Sequence, residues 1–135
     1  MALPDDVREL FAGPNYAHLA TLVPDGSPHS VPIWAGVEGD RIAFFTQTRS
    51  RKARNLARDR RVAVSVTDHA NPYRSAWARG RVAETLEGDE ALAVIDRLSR
   101  KYTGADFPMR SGVVFLIEPE RCGTMTLPFR HEPGE

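Results

Sequence analysis

A lone cysteine, Cys122, leaves no internal disulfide framework, so stability has to come from a packed core. No apolar run approaches the roughly 20 residues needed to cross a bilayer as a helix. The opening residues, Met1-Ala-Leu-Pro-Asp-Asp, carry no basic region followed by an apolar stretch, so no secretory signal is expected and the chain is placed in the cytoplasm. An excess of either charge is missing too. The 18 Lys and Arg balance the 18 Asp and Glu, which leaves no overall field to gather nucleic acid or an anionic membrane surface. His18, His29, His69 and His131 show no i, i+4 pair and no cysteine neighbour, so no metal site is expected. There is no internal repeat, no catalytic triad and no pair of carboxylates at working distance.

What is present is one domain's worth of chain, residues 1–135, patterned mostly with a period of two. Asp5 to Phe11 reads as a short helix, with Pro4 at its start, Val7, Leu10 and Phe11 on one face and Gly13-Pro14 as its stop. Strands are expected over Tyr16 to Val23 and His29 to Val37, joined by an Asp25-Gly26 turn, then over Arg41 to Thr46 after Glu38-Gly39-Asp40. Arg61 to Thr67 alternates Val62, Val64 and Val66 with smaller residues, and a long strand runs from Tyr73 to Thr85 with Gly80 marking a bend or close approach. Gly88 to Tyr102 is the clearest helix, with Ala91, Ile95, Leu98 and Tyr102 on one stripe. Val113 to Ile117 closes the pattern, Pro119 to Arg121 interrupts it, and Cys122 to Leu127 returns before a polar tail. About six antiparallel strands with inserted helices describe a mainly β, closed or nearly closed small barrel. Val31, Ile33 and Val37 fill it, while Trp34 and Phe45 fall on the opposite parity and are expected at a dimer surface.

The sharpest local signal is Thr46-Gln-Thr-Arg-Ser-Arg-Lys-Ala-Arg-Asn-Leu56, which sets basic side chains at a helix start. A helix N-terminus carries partial positive charge and unpaired N–H groups, and so favours Asp or Glu there. Ser50 is a good N-cap, Arg51 and Lys52 occupy the first turn, and Asn55 follows one turn later, so hydroxyl, ammonium and backbone donors can converge on a phosphate. A solvated basic face is the competing reading. The strand at Arg41 to Thr46 tips the balance, because a strand end opening into a helix is a common seat for phosphates.

Several segments together resemble a known family. His18-Leu-Ala-Thr-Leu22, Asp25-Gly-Ser-Pro-His-Ser-Val-Pro-Ile-Trp34, Ser50-Arg-Lys-Ala-Arg-Asn-Leu-Ala-Arg-Asp59, Asn71-Pro-Tyr-Arg74, Arg79-Gly-Arg-Val82 and Ile117-Glu-Pro-Glu-Arg121 are similar, in order and spacing, to the pyridoxamine 5'-phosphate oxidase-like superfamily. Within it the resemblance is to the branch that uses the deazaflavin coenzyme F-420. It implies a six-stranded antiparallel FMN-binding-type split barrel, a homodimer with two cofactor clefts between subunits, and an F-420-dependent reductase acting on a small conjugated or heteroaromatic molecule. The family's phosphate site matches Ser50, Arg51, Lys52 and Asn55, with Thr46, Gln47 and Thr48 nearby. Ser30, Pro32, Ile33 and Trp34 match the strand that carries the tricyclic ring, and Trp77 and Arg79 match contributions from the other subunit.

The resemblance also accounts for the missing catalytic motif, since a reduced flavin or deazaflavin brings the reactive hydrogen and the protein binds, aligns and excludes water. Proton delivery falls to solvent, Tyr73 or His29. FMN-dependent oxidase or flavin reductase chemistry remains open on the same fold, as does a non-catalytic cofactor carrier. Nucleic-acid binding through Arg49, Arg51, Lys52, Arg54, Arg58, Arg60 and Arg61 is the remote alternative, weakened by the lack of interleaved aromatics. Trp34 and Trp77 also suit a dimer core, Cys122 a small buried apolar position, and Tyr16 and Tyr102 simply close apolar stripes.

Overall fold

The computed structural model describes residues 1–134. Helix α1 (Asp5–Ala12) places Asp5 and Asp6 in its first turn, where the helix dipole favours them, and buries Val7, Leu10 and Phe11. Strand β1 (Tyr16–Leu22) alternates, with Ala17, Leu19 and Thr21 inward. It pairs with β2 (Pro28–Trp34), and β3 (Gly36–Glu38) pairs with β4 (Arg41–Thr46). Helix α2 (Arg51–Arg58), β5 (Arg61–Thr67), β6 (Arg74–Leu86), α3 (Gly88–Thr103) and β7 (Val113–Thr126) follow.

All seven strands form one antiparallel sheet in the order β2-β1-β5-β6-β7-β4-β3. The sheet curls around a core of Leu19, Phe44, Val64, Val82, Phe115 and Ile117, which α1 and α2 complete with Leu10, Phe11 and Leu56. Each such side chain contributes about 1.5–3 kcal/mol by leaving water. The opposite face of β4 and β7 carries Ala43, Val114 and Leu116, and α3 covers it with Ala91, Val94, Ile95 and Leu98. The split barrel is therefore present, its two edges being β2 on one side and β3–β4 on the other. Pro28 and Pro32 are tolerated because β2 is an edge strand.

Seven strands stand where about six are expected, and their bounds depart from the sequence pattern in two places, one dividing an expected strand and the other joining two. The run from His29 to Val37 breaks at Ala35, because the Ala35 N–H donates to the Tyr102 hydroxyl and its carbonyl accepts from Lys101 instead of joining a ladder. Conversely, Val113 to Thr126 is one strand running through Pro119. Its register against β6 shifts between Arg79 and Gly80, which takes up Glu120 as an extra residue and spares Pro119 the need for an N–H. Gly80 makes this possible. A Cβ there would stand 2.0 Å from the Glu118 carbonyl oxygen.

Candidate functional site

A cavity of about 420 Å³ opens at the split between the two sheet edges. Pro32, Ile33 and Trp34 of β2, Phe45 of β4, Tyr16 of β1, Phe107 from the α3–β7 connection and Lys52 of α2 line it. Trp34 and Phe45, both half-buried, line this cleft. Their rings meet at 6.1 Å, and Phe107 stands edge-on to both, at 6.3 and 5.0 Å.

Behind this wall, Tyr102 fixes the geometry. Its ring stacks on Trp34 at 5.3 Å and on Tyr16 at 5.5 Å, while its hydroxyl donates to the Asn15 carbonyl at 2.6 Å and accepts from Ala35 N–H. Burial pushes the Tyr102 phenol above its ordinary value. Lys101 lies beside it, 4.7 Å from the ring, and donates to the carbonyls of Phe11 and Ala35. Burial lowers the Lys101 pKa to about 8.

The start of α2 forms as the sequence indicates. Ser50 is its N-cap and accepts from Ala53 N–H at 3.1 Å, and the first turn carries no acidic residue. Among the described residues no ion pair involves Arg49, Arg51, Lys52 or Arg54. Arg61, by contrast, is held by Asp59, whose pKa falls to about 2 through hydrogen bonds from Arg61. A positive helix end with two exposed arginines and the half-buried Lys52 therefore borders an apolar, ring-sized cleft that has no carboxylate in its wall.

The expected site residues fall into four places. Pro32, Ile33, Trp34 and Lys52 come together in the cleft. Ser50, Arg51 and the turn of Thr46, Gln47 and Thr48 lie at the helix start, where the Gln47 side chain is engaged with Ser111 at 3.0 and 3.1 Å. Asn55 departs from expectation: it is buried and donates to Thr21 Oγ1 at 3.0 Å, so it ties α2 to β1 rather than facing the helix start. Ser30, Trp77 and Arg79 gather in a separate hollow of about 250 Å³ on the outer sheet face, with Arg79 stacked 5.2 Å over the Trp77 ring. Trp77 lies against Gly123 and is 39% exposed. Tyr16, Phe45, Tyr102 and Phe107 are the members that sequence reasoning did not assign to the site. Both tyrosines also fit ordinary apolar stripes, and Phe107 sits in a connection with no periodicity to flag it.

The fold is a split antiparallel barrel with an aromatic cleft at its seam and a basic helix start beside it. The chain belongs to the pyridoxamine 5'-phosphate oxidase family, whose model matches residues 3–125. Its fold is similar to that of a solved F420 reductase, at 29% identity and a TM-score of 0.78, with 90% of this chain and 98% of that one covered. It is also similar to a conserved hypothetical protein from Mycobacterium tuberculosis, at 26% identity and a TM-score of 0.80 over 99% and 94% of the two chains. An oxidase-type protein of this family from Lactobacillus delbrueckii shares the fold alone, at 20% identity and a TM-score of 0.67 over 90% and 93%. No curated protein sequence matches the chain significantly.

Proposed function

We propose that residues 1–135 act as a single cofactor-binding domain of a homodimeric, F-420-dependent reductase of a small conjugated or heteroaromatic molecule. The observation that carries this reading is the meeting of Lys52 and the uncompensated start of α2 with the Pro32-Ile33-Trp34 segment in one cleft. The residues fit such a group. The cleft is large enough for part of a planar ring system, its walls are aromatic or aliphatic, and its only lining cation stands at the end where phosphate is expected. Arg49, Arg51 and Arg54, without ion-pair partners among the described residues, suit a tail with several negative charges better than a single phosphate. The likeness to an F420 reductase over most of both chains points the same way.

A bound deazaflavin would supply two-electron hydride chemistry. The chain's own part is to hold and shield. Lys52 and the free N–H groups of the first α2 turn bind the anion, and Ser50 can donate its hydroxyl proton while still capping Ala53. Trp34, Tyr16 and Phe107 exclude water from the ring side, and Tyr102 keeps the first two in register. Trp77 and Arg79 are assigned to the surface that a second copy presents to this cleft, and Ser30 to the strand that carries the ring. A small conjugated acceptor would share the cleft, with any proton it needs supplied by solvent, Tyr73 or His29.

Paired fluorescence titrations with F-420 and FMN at matched salt test the reading. Tight F-420 binding with weak FMN binding supports it, and preference for FMN moves the chemistry to an FMN-dependent oxidase or flavin reductase. Binding of neither would sink it. Lys52→Ala removes a charge-assisted contact worth about 1.5–3 kcal/mol, so affinity should fall about tenfold to hundredfold. Turnover of acceptors by reduced cofactor separates an enzyme from a carrier.

A further inference from the structure

The connection from Gly104 to Gly112 reaches the core through one half-buried side chain, Phe107, which packs against the cluster under α3. Glycines in the left-handed φ region bound it, Gly104 at φ 82° and Gly112 at φ 153°. Between them every residue is exposed except Phe107, the one that enters the cleft. Hydrophobic burial alone therefore gives this segment little hold. Polar bonds from α3 take its place. Asp96, only 8% exposed, accepts from Phe107 N–H at 3.1 Å and from both terminal nitrogens of Arg110 at 3.0 Å each. Arg110 also donates to the Phe107 carbonyl at 2.8 Å. Ser99 donates to the Ala105 carbonyl at 2.7 Å, and Gln47 and Ser111 exchange two bonds at the far end. The bonds from Arg110, joined by the Phe107 N–H, hold the Asp96 carboxyl below its ordinary range against the opposing effect of burial.

A buried, ionised carboxylate whose partners are a bidentate guanidinium and one backbone N–H is a costly device for an exposed connection, unless the position of that connection matters. We infer that Asp96 is a positioning residue: through Arg110 and the Phe107 N–H it latches the 104–112 strap so that Phe107 forms one wall of the cleft. Phe107 touches the ring ligand's side of the site and Asp96 does not. The strap decides how wide the cleft is beside Trp34 and Phe45, and so how bulky a ring it admits. The assignment of a flavin-type ligand rests on the proposed function, whereas the latch itself does not.

The test reads the strap without any ligand. In a Trp77→Phe background Trp34 is the single tryptophan, and Phe107 stands against it. Asp96→Asn should raise acrylamide quenching of Trp34 about twofold by releasing the strap. Phe107→Ala should raise it to a similar degree, and the double variant should quench no more than Phe107→Ala alone. Arg110→Gln breaks the same latch from the exposed side and should follow Asp96→Asn even if the latter folds poorly. With F-420 as probe, Asp96→Asn should speed dissociation about fivefold while association changes little. Unchanged quenching in both latch variants would overturn the assignment, as would a further rise when Asp96→Asn is added to Phe107→Ala. If quenching follows the expected pattern while F-420 does not bind, the latch stands and the cofactor reading fails.

Discussion

Replacing Tyr102 by phenylalanine removes one oxygen and keeps the ring, which separates the two tasks this residue performs. The hydroxyl donates to the Asn15 carbonyl at 2.6 Å and accepts from Ala35 N–H at 3.1 Å. Ala35 is fully buried, so its N–H is left without a partner in Tyr102→Phe. An orphaned buried donor costs about 1–3 kcal/mol, and the loss of the shorter bond to the less deeply placed Asn15 carbonyl adds little beyond that range. The expected loss is about 2 kcal/mol, and for a domain of this size it should lower Tm by roughly 6–10 °C. The stacks on Trp34 and Tyr16 survive, so F-420 affinity should stay within about twofold. Tyr102→Leu removes those stacks as well, each worth about 0.5–1.5 kcal/mol, and should lose both stability and affinity. Urea denaturation followed by circular dichroism, beside a fluorescence titration for each variant, measures both quantities. A stability loss under about 0.5 kcal/mol in Tyr102→Phe would show that Ala35 finds another partner. Equal loss of affinity in both variants would show that the hydroxyl itself touches the ligand.

Other expectations follow from single observations. Gly80→Ala drives a methyl group into the Glu118 carbonyl, with a Cβ–O separation of 2.0 Å before relaxation, and should cost about 3 kcal/mol or more by urea denaturation; a neutral outcome would mean that the bulge is free to shift. Asn55→Ala should destabilise by about 1–3 kcal/mol by stranding Thr21, yet leave anion affinity unchanged, and weakened phosphate binding would return Asn55 to the site. Lys101 has a folded pKa of about 8 against an ordinary 10.5, so between these values the unfolded chain holds more protons and stability rises with pH. Lys101→Met lacks that gain. The urea midpoint of the wild type relative to this variant should therefore climb between about pH 8 and 9.5, whereas a constant difference would place Lys101 at its ordinary value.

The fold was legible where alternation was unambiguous, as in Val62, Val64 and Val66, and where helix starts were marked, as by Pro4 and Ser50. Both departures trace to partners distant in sequence. Ala35 leaves the ladder because Tyr102, 67 residues away, takes its N–H. Pro119 stays in a strand because Gly80 lets the register slip opposite it. The site was half legible on the same grounds. A basic helix start violates a local electrostatic rule and can be seen in sequence, and Lys52 indeed lines the cleft. Asn55 has the spacing of a phosphate ligand, but the inward turn of its side chain is set by Thr21 on another element. Phe107 carries no local pattern at all, and its backbone is bonded to Asp96 and Arg110 where its ring meets Trp34.

The strand order has a consequence for how the chain acquires its shape during synthesis. β4 ends at Thr46, yet the ladder that seats it lies on β7, which begins at Val113. A nascent chain lacking β7 can assemble β2, β1, β5 and β6 by near-neighbour pairing, while the β3–β4 hairpin has no strand to dock on. Ile42 and Phe44 then lack their Ile117 and Phe115 partners, and α3 lacks the Val114 and Leu116 half of the face it covers. Both cores close in one late event, which lengthens the interval in which apolar surface is open to chaperones or to wrong pairing. The cleft needs β2, β4 and the 104–112 strap at once, so its walls come together only after β7 has been made.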